Sequence, residues 1–356
     1  MEFKPKFLAT GIGSMPFTDQ ERALELSLST FPDAPFWPQL PKIDMNEQME
    51  IQYSEGMPCI RIDREKGRMY FDTSADYSEP FAEFYERYMS AMGPEGDGNC
   101  SSMAIGPGFS RGICALETRL RGRSPKPAFV KVQTTGPCSF ALTIVDENKR
   151  AVYYNEEFRD VVVKALAMKC RWQIQKFRPF AGRVICFIDE PILSAFGSST
   201  YVSVRREEVV SMLSEVVEAV HADGGIAGIH CCGNTEWSIP IDAGVDIINL
   251  DAFGYGETIA MYPDAVRELL MRGGAIAWGI VPTSTAVREQ SVENLAVRLD
   301  AVIDHLASHR IERTLIAGQS MITPSCGTGS METGDAERVF SLTGSLSREM
   351  KRRYGF

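Results

Sequence analysis

Ile226-Ala227-Gly228-Ile229-His230-Cys231-Cys232-Gly233 is a short apolar run that breaks abruptly into residues able to do chemistry. The run is strand length and has no polar face, as expected of a parallel strand covered on both sides. The same unit recurs along the chain. Upstream, residues 7–12 lead into Gly13-Ser14, 128–132 into Gln133-Thr134-Thr135-Gly136-Pro137, and 184–188 into Asp189-Glu190-Pro191. Downstream, residues 245–250 precede Asp251, 275–280 contain Gly279, and 314–317 precede Gly318-Gln319-Ser320. Segments with helical periodicity lie between the runs, most clearly at 156–177, 206–221 and 291–307. Alternating buried strands and amphipathic helices predict an α/β fold with a parallel sheet. Polar and glycine-rich residues close nearly every run. That pattern predicts a TIM (β/α)8 barrel, because an open doubly wound sheet would gather such residues at one switch point. Residues 36–40, as an irregular second strand, bring the count to eight.

The expected organisation is one barrel domain over 1–356, with 42–125 as an insertion between the second and third strands. Within it, 59–63 and 68–72 read as a β-hairpin turning at Glu65-Lys66-Gly67, followed by a Gly- and Ser-rich stretch at 93–112. A lid or an oligomer contact would suit such a segment.

Composition narrows the partners. The 356 residues are 44% hydrophobic, enough for a large core, and the formal net charge is −10. Such a surface repels nucleic acid and anionic membranes, so neither is expected as a partner. Met-Glu-Phe-Lys-Pro-Lys-Phe offers no apolar leader, and no apolar run approaches membrane-spanning length. Nine scattered cysteines, an odd number, argue against a disulfide framework and for a reducing, cytoplasmic setting. Cys170 and Cys186, inside apolar patterns, read as small buried hydrophobes.

His230 and Cys232, two apart at a strand end, can point to one side. Imidazole nitrogen and thiolate sulfur are the ligands zinc prefers. Cys326, in Thr323-Pro324-Ser325-Cys326-Gly327, follows the last strand, which in a closed barrel neighbours the first. The plainer reading of adjacent cysteines is burial.

Five stretches together resemble the C-terminal catalytic barrel of the cobalamin-independent methionine synthase family, in order and approximate spacing. Thr10-Gly11-Ile12-Gly13-Ser14-Met15-Pro16 is similar to its Ile-Gly-Ser-x-Pro opening, and Thr135-Gly136-Pro137 to its Thr-Gly-Pro. Ile188-Asp189-Glu190-Pro191 matches its Ile-Asp-Glu-Pro, His230-x-Cys232 its His-x-Cys, and Pro324-Ser325-Cys326-Gly327 its Pro-Asp-Cys-Gly. The resemblance implies a Zn2+ cofactor held by His230, Cys232 and Cys326, with Asp251 where the family has a glutamate. Asp251 would ligate directly or through water; the alternative is a carboxylate hydrogen-bonded at the barrel mouth. It further implies that Ser14 and Asp189 bind the amino-acid part of a small-molecule thiol, and that Asp189 and Glu190 are catalytic. On their own, Ser14 reads equally as a helix cap and Asp189-Glu190 as a loop start. The implied reaction is methyl transfer to a thiol, with homocysteine becoming methionine.

The chain departs from the family in three places. At 356 residues it is about half the length the resemblance implies for the two-barrel enzymes, so the N-terminal barrel is not expected. Gly279-Ile280-Val281-Pro282-Thr283 carries no histidine where the family has one, and His221, His305 and His309 fall in helical patterns. No stretch matches the family's folate-contacting aromatic motif. The resemblance to short, single-barrel relatives implies a methyl-corrinoid protein rather than methyltetrahydrofolate as donor; the insertion, with Phe36-Trp37-Pro38 before it, reads as its docking surface or equally as plain structure. Three readings compete: a corrinoid-linked methyltransferase acting on another thiol such as coenzyme M, a uroporphyrinogen decarboxylase-like enzyme, and a non-catalytic binding barrel. Gly108-Phe109-Ser110-Arg111-Gly112 fits the Gly-x-Ser-x-Gly pattern of serine hydrolases, but no apolar strand leads into it.

Overall fold

The computed structural model describes residues 3–356. Its strands, in chain order, are β1 (Leu8–Ala9), β2 (Ile60–Asp63), β3 (Arg68–Phe71), β4 (Phe129–Thr135), β5 (Arg183–Asp189), β6 (Ile226–Cys231), β7 (Ile247–Leu250), β8 (Ala275–Val281) and β9 (Ser320–Pro324). Seven of them form one parallel sheet in the order β1-β9-β8-β7-β6-β5-β4. The other two make the expected antiparallel hairpin, Ile60 opposite Phe71 and Asp63 opposite Arg68.

Strand alternation sorts side chains into two buried layers. Leu8, Ile185, Phe187, Ile226, Ile247, Ala275, Ala277 and Met321 pack together on one face of the sheet, which curls round them. The opposite face, with Val184, Cys186, Ile188, Ile248 and Ile276, packs on the helices. Both faces are buried, which is why these strands read as continuous apolar runs. Helices Glu156–Phe177, Arg206–Ala222 and Val292–Ala307 sit where the periodicity places them. The last begins at a capping box, Ser291 with Asn294.

Two expectations fail. Residues 36–40, expected as an irregular second strand that makes eight, form no continuous strand, and the sheet has seven. Pro35, Pro38 and Pro41 lack amide hydrogens and deny the segment a continuous ladder. It meets its neighbours through isolated parallel bridges, Phe36 with Lys131 of β4 and Ser14 with Gln39 beyond β1. Side-chain amides supply the remaining ties: Trp37 Nε1 donates to Gln173 Oε1 (3.0 Å), and Gln173 Nε2 to the Gln133 carbonyl (2.9 Å). The second failure is residues 314–317, expected as the last strand. They lie in the helix Arg313–Gly318, and the strand is Ser320–Pro324. An apolar run this short fits a buried helix as well as a strand. Gln319 therefore sits at the entry of β9, its amide donating to the Leu270 and Gly274 carbonyls.

Between residues 42 and 125 lie the hairpin and the helices Met49–Tyr53, Ser78–Met92 and Arg111–Leu120. Lys169, fully buried in the helix Glu156–Phe177, ties this segment down. Its ammonium donates to the carbonyls of Glu55 (2.7 Å) and Met103 (3.3 Å). Burial pushes its pKa from 10.5 down to about 7, against the pull of Glu55. The unfolded chain therefore binds the extra proton between these values, so this residue's contribution to stability rises with pH across that window. In denaturant melts, wild type should gain stability relative to Lys169→Met as pH rises from about 7 toward 10. A constant difference over that range would refute the account.

None of the nine cysteines is paired in a disulfide. No helix among the described residues is long and apolar enough to cross a membrane.

Candidate active site and metal centre

Parallel register brings the distant motifs together. Thr135 of β4 stands beside Asp189 of β5, Asp189 beside His230 of β6, and His230 beside Asn249 of β7. This row crosses the C-terminal end of the sheet, where the sequence turns from apolar to polar. Cys232 continues two residues past His230 on the same side. Cys326 arrives in the loop after β9, which is fixed on both flanks. Ser325 N donates to the Val281 carbonyl (2.8 Å), and Thr328 N to the Ser14 carbonyl (2.8 Å). Gly327 permits this approach, since a Cβ there would overlap Ser14 Oγ.

One nitrogen of His230 and the sulfurs of Cys232 and Cys326 all lie within 4.8 Å of one another. The imidazole is buried; its Nδ1 meets Asn249 Oδ1 at 2.6 Å, while Nε2 is buried with no partner. The neighbouring Cys326 and His230 side chains pull the Cys232 thiol well below the ordinary thiol range, and Cys326 is pushed up in return. An unpartnered buried nitrogen facing two sulfurs fits a divalent cation such as zinc.

Asp251 lies outside this trio. Its carboxylate caps the short helix Ala252–Tyr255, accepting from Gly254 N at 2.8 Å.

The trio forms one end of a cavity of about 360 Å³, whose walls also include Ser14, Asp189, Gln39, Glu47 and Met49. That volume suits a small molecule. Asp189 Oδ1 is buried without a partner, and burial pushes this carboxyl up to about 6 despite the nearby Lys131 ammonium. The walls hold carboxylates and no arginine or lysine. A larger depression of about 560 Å³ lies between helices Glu156–Phe177 and Arg206–Ala222. It is lined by residues already ion-paired, such as Arg205 with Glu208 (2.7 Å), and by none of the motifs.

Glu190 does not share the cavity of Asp189. It is fully buried, and its carboxylate accepts from Cys138 N (2.8 Å), Ser139 N (2.8 Å) and Ser139 Oγ (2.6 Å). It closes the first turn of the helix Pro137–Thr143, and Gly136 leaves room for it. The geometry makes Glu190 a fastener between the ends of β4 and β5 rather than a reacting group. Glu190→Ala would strand three buried donors and should cost on the order of 3 kcal/mol in unfolding experiments. Metal content per folded chain should stay unchanged; unaltered stability with lost metal would reverse the assignment.

Ser110 caps the helix Arg111–Leu120 and is fully buried, so the hydrolase pattern is structural. Two residues escaped sequence reading. Lys131, a cation inside β4, donates to the Ile12 carbonyl and to Gln133 Oε1 (3.1 Å) beneath the cavity. Asn249 backs His230. Each is a polar residue inside an apolar strand run, and that was the available signal.

No family model and no curated protein sequence matches the chain. Among solved structures, a methyltransferase from Methanosarcina mazei superposes with a TM-score of 0.53 at 13% identity, over 92% of this chain and 86% of that one. A B12-independent methionine synthase from Shewanella sp. gives a TM-score of 0.49 at 13% identity, over 98% and 99%. At this identity the first likeness speaks to the fold alone, and nothing is drawn from the second.

Proposed function

We propose that the chain is a zinc-dependent methyltransferase acting on a small thiol, with homocysteine as acceptor and methionine as product. The observation that carries this reading is the cluster of His230, Cys232 and Cys326 within 4.8 Å, at one end of a cavity that also exposes a carboxylate. The family resemblance of the five motifs, and a fold shared with a methyltransferase, support it. On the same reading, residues 36–40 complete an eight-membered barrel, and residues 42–125 are its insertion.

His230, Cys232 and Cys326 would hold the metal. Zinc bound there would supply the Lewis acidity that keeps a substrate thiol deprotonated at neutral pH. The protein's own groups do the rest. Asp189 offers an unpaired carboxylate oxygen to a substrate ammonium, which must be neutralised once out of water. Ser14 lines the same wall and narrows it against the Cys326 loop. The donor on this reading is a methyl-corrinoid protein docking on residues 42–125, and the free thiols suit a cytoplasmic setting. A decarboxylase acting on many propionates fits poorly, since the cavity walls carry no arginine or lysine.

The test is elemental analysis of freshly purified protein, followed by methylcobalamin with homocysteine or coenzyme M. About one zinc per chain and methionine formation are expected. No zinc after supplementation sinks the reading. Zinc without any methylated thiol would favour the non-catalytic barrel.

A further inference from the structure

We propose that Asn249 is a positioning residue that fixes which nitrogen of His230 faces the two cysteines. Hydrogen-bond direction fixes the orientation of both side chains. Asn249 is fully buried on β7, beside His230 in register. Its Nδ2 has two neighbours on the far side, the Ala277 carbonyl at 2.8 Å and Thr323 Oγ1 at 2.8 Å. A carbonyl oxygen accepts and never donates, so the amide nitrogen of Asn249 must be the end turned toward β8 and β9. The opposite end, Oδ1, then faces His230 Nδ1 at 2.6 Å. An amide oxygen also only accepts. His230 Nδ1 must therefore carry the hydrogen, and the lone pair of the neutral ring is left on Nε2. Nε2 is the buried atom with no partner.

The orientation of one imidazole is thus set two strands away. Ala277 and Thr323 hold Asn249, and Asn249 holds His230. Any cation at this site meets a nitrogen already aimed and already unprotonated in the neutral ring. Outer partners of ligating histidines typically contribute about 10- to 100-fold to metal affinity. The expected contribution of Asn249 is in that range.

The second arm of the test rests on the zinc reading; the first does not. The first arm is nitrogen-15 NMR of histidine-labelled, zinc-free protein, in which only four histidines need assignment. His230 Nδ1 should bear a slowly exchanging proton. That proton should lose its protection in Asn249→Leu and keep it in Asn249→Asp, which retains an acceptor oxygen. A wild-type His230 protonated only at Nε2 would overturn the proposal, whatever the metal does. In the second arm, zinc affinity by chelator competition should fall about 10- to 100-fold in Asn249→Leu and much less in Asn249→Asp. Equal affinity in all three proteins, with Nδ1 protection also unchanged, would overturn it. A protected Nδ1 proton in a protein that never binds zinc would sustain the Asn249 assignment and defeat the zinc reading instead.

Discussion

Cys232→Ser should leave the protein folded but without its metal, and thiol methylation should fall by more than the roughly 10- to 100-fold attributed to losing an outer partner. A serine hydroxyl does not ionise at neutral pH, so the site loses one of its two sulfurs. Only His230 and Cys326 would then remain of the trio. Cys231→Ser is the matched control. Cys231 lies on the opposite side of the strand, fully buried, with its thiol toward the Gly233 carbonyl at 3.7 Å. That variant should keep about one zinc per chain. Zinc measured beside thermal unfolding separates the outcomes. Full metal content in Cys232→Ser would remove the site, and equal loss in both variants would point to general damage.

Asp189→Asn should weaken capture of an amino-acid thiol while sparing the metal. The substitution keeps the side-chain shape and removes the charge, so what is lost is the charged component of a hydrogen bond to ammonium. Such bonds contribute about 1.5–3 kcal/mol, or roughly 10- to 150-fold in KM. The pH dependence has a defined sign. Burial raises this carboxyl to about 6, so the binding form predominates above that pH and is lost below it. In wild type KM should climb as pH drops through about 6, whereas in the variant the climb should vanish. A thiol without an ammonium group, such as coenzyme M, should show neither effect. Equal losses for homocysteine and coenzyme M would reject Asp189 as the ammonium partner.

How much of this was legible depended on the length and surroundings of each run. The strands around Cys186, Ile229 and Ile276 announced themselves because both faces are covered, leaving no polar alternation to misread. The helix Glu156–Phe177 was readable to its ends, with Asn155 capping the first turn. Residues 314–317 were not, since four apolar residues carry no period and the turn that decides them is Gln319 N bonding back to Leu315 O at 3.1 Å. Residues 36–40 were read as irregular, but not that side-chain amides would replace the ladder. The metal trio was visible as residue types at strand ends. The division of labour between Asp189 and Glu190 was not, because adjacent residues at a strand end diverge to opposite sides. Glu190 finds its partners on a neighbouring helix that the motif does not mention.

The proline-spaced segment between β1 and β4 bears on how the cavity can be altered. His230 and Asn249 stand on strands locked edge to edge by unbroken ladders. Gln39 and Met49, across the cavity, belong to chain held by single bridges and side-chain amides. Exchanging residues on that side alters few backbone bonds and leaves the ligand geometry alone. On the proposed reading, a rigid chemical half is coupled to an editable recognition half, and a new acceptor would be fitted by rewriting the seam while the reaction stays the same.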